Sequence, residues 1–279
     1  MKKFLALAMA LAMVMSLAAC GNGSSSSAGT SSSNNSSASQ SDASSSGDTS
    51  STGELTTIQE GKLIMSTNAA FPPYEMTDDN GNVVGIDADI AAAIAEKLGL
   101  ELQIEDMDFD SALLAVQQGK SDMVMAGVSV DPEREAVMDF STSYATGVQV
   151  VIVKEGSDVT LDNLSEQLIG TQRGTTGEIY CTDDYGADHV AAYDNGISAV
   201  QALMNDQVDC VVIDQAPALE FVAANPGLTT LETEYANEDY AIGVNKGNTA
   251  LLDAINNALA ELTADGTIQS ILDSYISAE

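Results

Sequence analysis

The chain has 279 residues, with 42 acidic side chains against nine basic ones, a formal charge of −33, and an apolar fraction of 44%. That is enough apolar material to bury the core of one large domain or two small ones. Such acidity argues against nucleic-acid binding, which needs a basic face to displace counterions. One His and three Cys, with no C-x2-4-C or H-x3-5-H pair among them, argue against a zinc site. The D-x-[DN]-x-[DN]-G calcium loop is absent, and no metal or organic cofactor is implied.

In chain order, Lys2 and Lys3 precede an apolar run from Phe4 to Val14, too short to span a bilayer but right for the core of a signal peptide. Leu17-Ala18-Ala19-Cys20-Gly21 then resembles the lipobox of bacterial lipoproteins, whose cysteine becomes the lipidated first residue of the mature chain. An ordinary secretory signal with a small-residue cleavage site is the alternative. Removing residues 1–19 takes two of the nine bases and none of the 42 acids. From Gly21 to Gly53 there is no aromatic residue and no Val, Ile, Leu or Met. Such a tract cannot bury enough to offset its chain entropy, so residues 20–54 are expected to be a disordered tether behind Cys20. As a flexible coil it has a root-mean-square span of about 30 Å and a stretched limit of roughly 110 Å. A lipidated cysteine, a leash and a globular body place the work just outside a membrane.

From about Leu55 onward, short β-like runs alternate with amphipathic helical patterns. Lys62 to Thr67 reads as a strand, and Ile86, Ile90, Ile94 and Leu98 recur every fourth residue until Gly99, a glycine C-cap. Ser111 to Gln118 reads as a helix closed by Gly119, followed by an apolar strand from Met123 to Val130. Val148 to Val153 and Val208 to Ile213 are further strands. Leu251, Leu252, Ile255, Leu259 and Leu262 mark a helix, and a second one follows Gly266. The alternation implies parallel βαβ units, hence an α/β fold with sites outside the carboxyl ends of strands.

Three places break local rules. In Asp131-Pro132-Glu133-Arg134 the first three residues suit the start of a helix as N-cap, first position and acidic first turn. Arg134 does not, because a cation there opposes the helix dipole; it has either a stronger use or a surface ion pair with Glu135 or Asp139. Gly174-Thr175-Thr176-Gly177-Glu178 follows the strand-like Leu168 to Thr171, and Thr175 with Glu178 has capping-box spacing. Its backbone N–H groups would suit an anion, but no Gly-Lys-Ser/Thr makes it a P-loop. An arginine fork and two helix N-termini together describe a carboxylate receptor. Asp214 ends the strand Val208 to Ile213, where it suits either the ammonium of a zwitterion or the cap of a helix from Gln215 to Ala224.

Phe71-Pro72-Pro73-Tyr74-Glu75, Gly85-Ile86-Asp87-Ala88-Asp89-Ile90, Met107-Asp108-Phe109, Ala126-Gly127-Val128-Ser129 through Arg134, Asp139-Phe140-Ser141, Gly174-Thr175-Thr176-Gly177 and Asp214 stand in an order that carries a resemblance. The chain resembles the extracytoplasmic solute-binding proteins, family 3, which serve ABC importers of polar amino acids. Ala88 departs from the pattern, where the family usually carries a larger aliphatic residue.

The resemblance implies a two-lobed, type II periplasmic-binding-protein-like fold, each lobe a mixed, mostly parallel sheet flanked by helices. Lobe 1 would be discontinuous, residues 55–145 with 241–279, and lobe 2 would be residues 146–240, with crossings near Tyr144 to Val148 and Ala236 to Tyr240. Arg134 would grip the ligand's α-carboxylate with N–H groups near Ser129 and Thr176, while Gly127 and Asp214 receive the α-ammonium. Phe71 and Phe109 would wall the side-chain pocket with Tyr74 nearby, unless they are simply core. Asn68 falls where several relatives carry an aspartate facing the ligand's side chain, so a neutral polar ligand such as glutamine ranks above arginine or lysine. The partners implied are a free amino acid, a permease, and the membrane through Cys20, for a monomer outside the cytoplasm that is not an enzyme. Two alternatives carry less: a dehydratase-like cleft enzyme using Glu75 or Asp214, and a sensor input domain. Whether Cys181 and Cys210 are bonded stays open, and His189 reads as a surface residue.

Overall fold

The computed structural model describes residues 55–231 and 235–276. The expected signal peptide, Cys20 and tether lie outside the described residues.

The first sheet has five strands in the order Glu101–Asp106, Lys62–Thr67, Met123–Val124, Gly243–Asn245, Met138–Phe140. The first three run parallel, and Gly243–Asn245 is antiparallel to both its neighbours. Lys62–Thr67 is flanked on both sides, which is why five of its six residues are buried and it reads as an unbroken run rather than an alternation. The helix Ile86–Leu98 covers this sheet with Ile86, Ile90 and Ile94, each worth about 1.5–3 kcal/mol when fully buried. Gly99 ends it in the left-handed conformation, its N–H donating to the Glu96 carbonyl. Leu251, Ile255 and Leu259 of the helix Thr249–Ala264 join the same core.

The second sheet runs Val190–Tyr193, Ile169–Gln172, Cys210–Asp214, Ala145–Lys154, Leu228–Thr230. Its first three strands are parallel; Ala145–Lys154 is antiparallel to Cys210–Asp214, to Leu228–Thr230 and to Ala236–Tyr240. Cys181 and Cys210 are free, buried thiols in one apolar cluster of this half. His189 is half-buried, its Nδ1 3.1 Å from the Gln167 carbonyl.

The chain passes from the first sheet to the second between Phe140 and Ala145 and returns between Tyr240 and Gly243. The two passages lie side by side: Tyr240 pairs with Ala145 and Ala236 with Gln149, Ser141 donates to the Ile242 carbonyl at 2.9 Å, and Tyr144 donates to the Tyr240 carbonyl at 3.0 Å.

The sequence reading of Met123 to Val130 as one strand needs correcting. Only Met123–Val124 joins the sheet. Gly127 adopts φ +53, which breaks the pleat, and its N–H leaves the ladder for the Asp87 carboxylate at 2.9 Å. Ser129 meets Tyr240 in an isolated bridge, so the stretch becomes a loop strung between the two sheets.

Candidate ligand-binding site

Arg134 reaches its place through a capped turn. Asp131 accepts from the N–H groups of Glu133 at 2.8 Å and Arg134 at 3.3 Å, with Pro132 in the first helical position. The guanidinium turns inward and is only 7% exposed. It donates to the Ser129 carbonyl at 2.8 Å and the Gly174 carbonyl at 3.0 Å, and its Cζ stands 5.4 Å from the centroid of the Phe109 ring. Burial lowers its pKa, against the pull of Asp131 and Glu238. The alternative of an ion pair with Asp139 is overturned, because Asp139 pairs with Lys246 at 2.7 Å.

The turn Gly174-Thr175-Thr176 lies opposite. Thr175 accepts from the Glu178 N–H at 3.4 Å, as a cap should, but the Glu178 carboxylate reaches one residue further back than a capping box requires and takes the Gly174 N–H at 2.6 Å. Thr176 is buried, its hydroxyl 3.4 Å from that of Ser129.

Asp214 caps nothing. Its side chain makes no bond to the following helix, Gln215–Ala224. One carboxylate oxygen accepts from the Tyr240 hydroxyl and the other from the Gln149 amide at 2.8 Å. Burial, with Glu238 beside it, pushes its pKa up to about 7. Glu238 accepts from the Ser129 hydroxyl at 2.9 Å and from the same Gln149 amide at 3.0 Å.

These groups meet around one narrow cavity, lined by Phe71, Glu75, Phe109, Ala126, Gly127, Ser129, Arg134, Gln172, Thr175, Thr176 and Asp214. Seven of the nine ligand-site residues expected from the sequence are therefore brought together: Phe71, Phe109, Gly127, Ser129, Arg134, Thr176 and Asp214. Two are not on its wall. Tyr74 packs edge-on against Tyr240, centroids 5.1 Å apart, behind Phe71. Asn68 spends its amide on the Met107 carbonyl at 2.9 Å and on Gln172, whose Nε2 donates to it at 3.0 Å. Gln172 and Thr175 were missed as wall residues, although both stand at a strand end or helix start, where α/β sites gather. Among the described residues no cluster of His, Cys, Asp or Glu is arranged to hold a metal ion.

The cavity lies between two sheets, with the Arg134 guanidinium and the Asp214 carboxylate both on its wall. The model of the bacterial extracellular solute-binding proteins, family 3, matches residues 63–278. The chain belongs to that family. It is 33% identical over 219 residues to ABC transporter arginine-binding protein 1 of Escherichia coli K12, covering 77% of this chain and 90% of the relative. Two solved structures are similar throughout: an ancestral arginine-binding protein bound to glutamine, at 39% identity and TM-score 0.75, and one bound to arginine, at 40% and 0.73. They cover 79% and 78% of this chain and 100% and 99% of their own lengths. The fold of this family-3 protein is thus the type II periplasmic-binding-protein fold, two mixed α/β lobes. No helix among the described residues is long and apolar enough to cross a membrane.

Proposed function

We propose that this protein is an extracytoplasmic receptor that holds a free L-amino acid in the cavity between its lobes and hands it to an ABC importer. The observation that carries this is the placing of Arg134 and Asp214 on one cavity, together with the turn at Thr176. A buried zwitterion needs a countercharge at each end, or one of its ions is left desolvated. Arg134 receives the α-carboxylate with the N–H groups near Ser129 and Thr176. Asp214 and the Gly127 carbonyl receive the α-ammonium. The relatives support this class, several being named for the binding of arginine, histidine or cystine.

The lobes of this reading are residues 55–145 with 241–279, and 146–240, and the paired crossings form the hinge on which they close. Cys20 carries the lipid and residues 21–54 the leash, so a monomer works within reach of its permease. Loss of lipid labelling in Cys20→Ala tests the anchor. The preference for glutamine rested on Asn68 facing the ligand. Because Asn68 is bonded to Met107 and Gln172 and is absent from the cavity wall, that ranking loses its support.

The test is a thermal-shift screen of the twenty amino acids. A ligand at 100 times its Kd stabilises the folded state by about 2.7 kcal/mol. One or a few amino acids should raise the melting temperature and be recovered chemically unchanged. A flat response to all twenty sinks the reading, and recovery of an altered compound favours an enzyme of the same fold.

A further inference from the structure

Tyr240 lines no part of the cavity, yet it reaches both groups that receive the α-ammonium in the receptor reading. It ends the strand Ala236–Tyr240 at the return crossing and is 0% exposed. Its stretch of backbone carries the loop of Gly127 and Ser129. Tyr240 meets Ser129 in a bridge, the Val130 N–H donates to the Asp239 carbonyl at 3.0 Å, and the Ala241 N–H donates to the Val128 carbonyl at 3.0 Å. Its side chain serves the second half, where the hydroxyl donates to Asp214.

Gly147, on the strand Ala145–Lys154, makes room for that ring. Its φ is not positive, so the backbone itself does not call for glycine. A Cβ there would stand 2.5 Å from Cζ and 2.6 Å from Cε1 of Tyr240. Glycine inside a strand marks such a close approach. With this slot on Gly147 and Tyr74 edge-on at 5.1 Å, the ring is held and the hydroxyl has one direction.

Asp214 depends on that hydroxyl. It is buried, and its side-chain donors are Tyr240 and Gln149. The other groups facing it give little help. Glu238 on the strand Ala236–Tyr240 and Glu75 on the strand Glu75–Thr77 are acids, and neither Glu75 oxygen has a donor. Burial keeps Tyr74 and Tyr240 neutral. Arg134 gives its hydrogen bonds to the Ser129 and Gly174 carbonyls, and the helix Gln215–Ala224 brings no acid in its first turn. Burial and Glu238 push the Asp214 carboxyl up while Tyr240 and Gln149 hold it down, and the balance falls at about 7.

We propose that Tyr240 is the positioning residue of the ammonium contact: its ring sits in the slot at Gly147, its hydroxyl holds Asp214 ready as a carboxylate, and its backbone holds the Gly127 loop. The proposal rests on the receptor reading above and deepens it, because one residue of the hinge then sets the ammonium contacts of both halves. Affinity falls as pH falls through the Asp214 range, since the protonated acid has no charge to offer an ammonium. Loss of the Tyr240 hydroxyl moves that limb to higher pH by about one unit, the size of one hydrogen bond to a charged group.

Tyr240→Phe keeps the ring and removes the hydroxyl, so a role in packing alone leaves the limb in place. Calorimetric titration with L-glutamine and L-arginine, from about pH 5 to pH 8.5, measures the limb in both proteins; any other amino acid found by the screen serves equally, since all carry the ammonium. The variant should bind about fivefold more weakly at pH 7 and recover as pH rises. Gly147→Ala should move the limb the same way, and Tyr240→Phe added to it should move it no further. Carboxyl-carbon NMR of the ligand-free full chain, with the Asp214 signal identified by its loss in Asp214→Asn, should show the same displacement without any ligand. An unmoved limb or an unmoved Asp214 titration in Tyr240→Phe overturns the proposal and leaves the receptor reading standing, as do shifts that add in the double variant. If no amino acid binds at all, both fall.

Discussion

Arg134 Nη2 donates to the carbonyl of Gly174 at 3.0 Å, and these two residues come from different halves of the fold. Arg134 lies between two strands of the first sheet, and Gly174 follows a strand of the second. The guanidinium therefore joins the two halves while keeping further N–H groups for a ligand, since it carries five.

Replacing Arg134 by Ala should weaken amino-acid binding by about 2–5 kcal/mol, most of it the penalty of a buried carboxylate without a partner. Lysine should restore little, because it cannot span Ser129, Gly174 and a carboxylate with one planar fork. Calorimetry on the ligand found by the screen decides this. An affinity within about threefold of the natural protein would remove Arg134 from the site, since that is what a neutral surface change gives.

The acids of the cavity set a pH dependence that runs opposite to the usual one. Burial, with Glu238 nearby, raises Asp214 to about 7, and burial raises Asp87 to about 6. Both groups hold a proton more tightly folded than unfolded. Their contribution to stability is therefore intact at and below their ordinary carboxylate range and is lost as pH rises through the folded values. In the ligand-free protein the melting temperature should fall between about pH 4 and pH 7, and Asp214→Asn should flatten that slope. Scanning calorimetry of both proteins across this window is the check; an equal slope in the two would show that Asp214 is not titrating there.

How far the sequence carried depends on whether the deciding contact is local. Ile86, Ile90, Ile94 and Gly99 fix a helix among themselves, and its bounds match the reading. Asp131 and Thr175 cap turns within three residues of themselves, so both were legible, although the exact reach of Glu178 was not. Asn68 and Tyr74 stand near the cavity and not on its wall, because a motif gives neighbourhood, not direction. Tyr74 follows two prolines and turns to Tyr240, a residue far along the chain. Gln149, which donates to Asp214, and Glu238, the acid beside it, meet through the register of two strands paired across nearly ninety positions, and no local pattern announces such a pairing. Glu75 was seen only as a catalytic candidate, since its lack of donors is a property of the packed cavity.

Gly127→Ala should damage both stability and binding. The residue has φ +53, where a Cβ costs about 1–2 kcal/mol, and that Cβ would stand 2.9 Å from Cε1 of Phe71. The ring has to give way, and it is a wall of the cavity. The expected result is a lower melting temperature together with a raised Kd. Unchanged affinity in a destabilised protein would show that Phe71 moves without touching the ligand.

Cys181 and Cys210 should be silent in the folded protein. Both are fully buried in one cluster of the second half, and burial pushes each thiol up to about 12. The thiolate is the reacting species, so at neutral pH neither population nor access favours reaction. A thiol reagent such as dithionitrobenzoate should find neither cysteine until denaturant is added, and then both. Intact mass of the unreduced protein gives the independent check. A mass short by two hydrogens would mean that export had joined the pair, and the free-thiol packing of this core would then have to be redrawn around a crosslink.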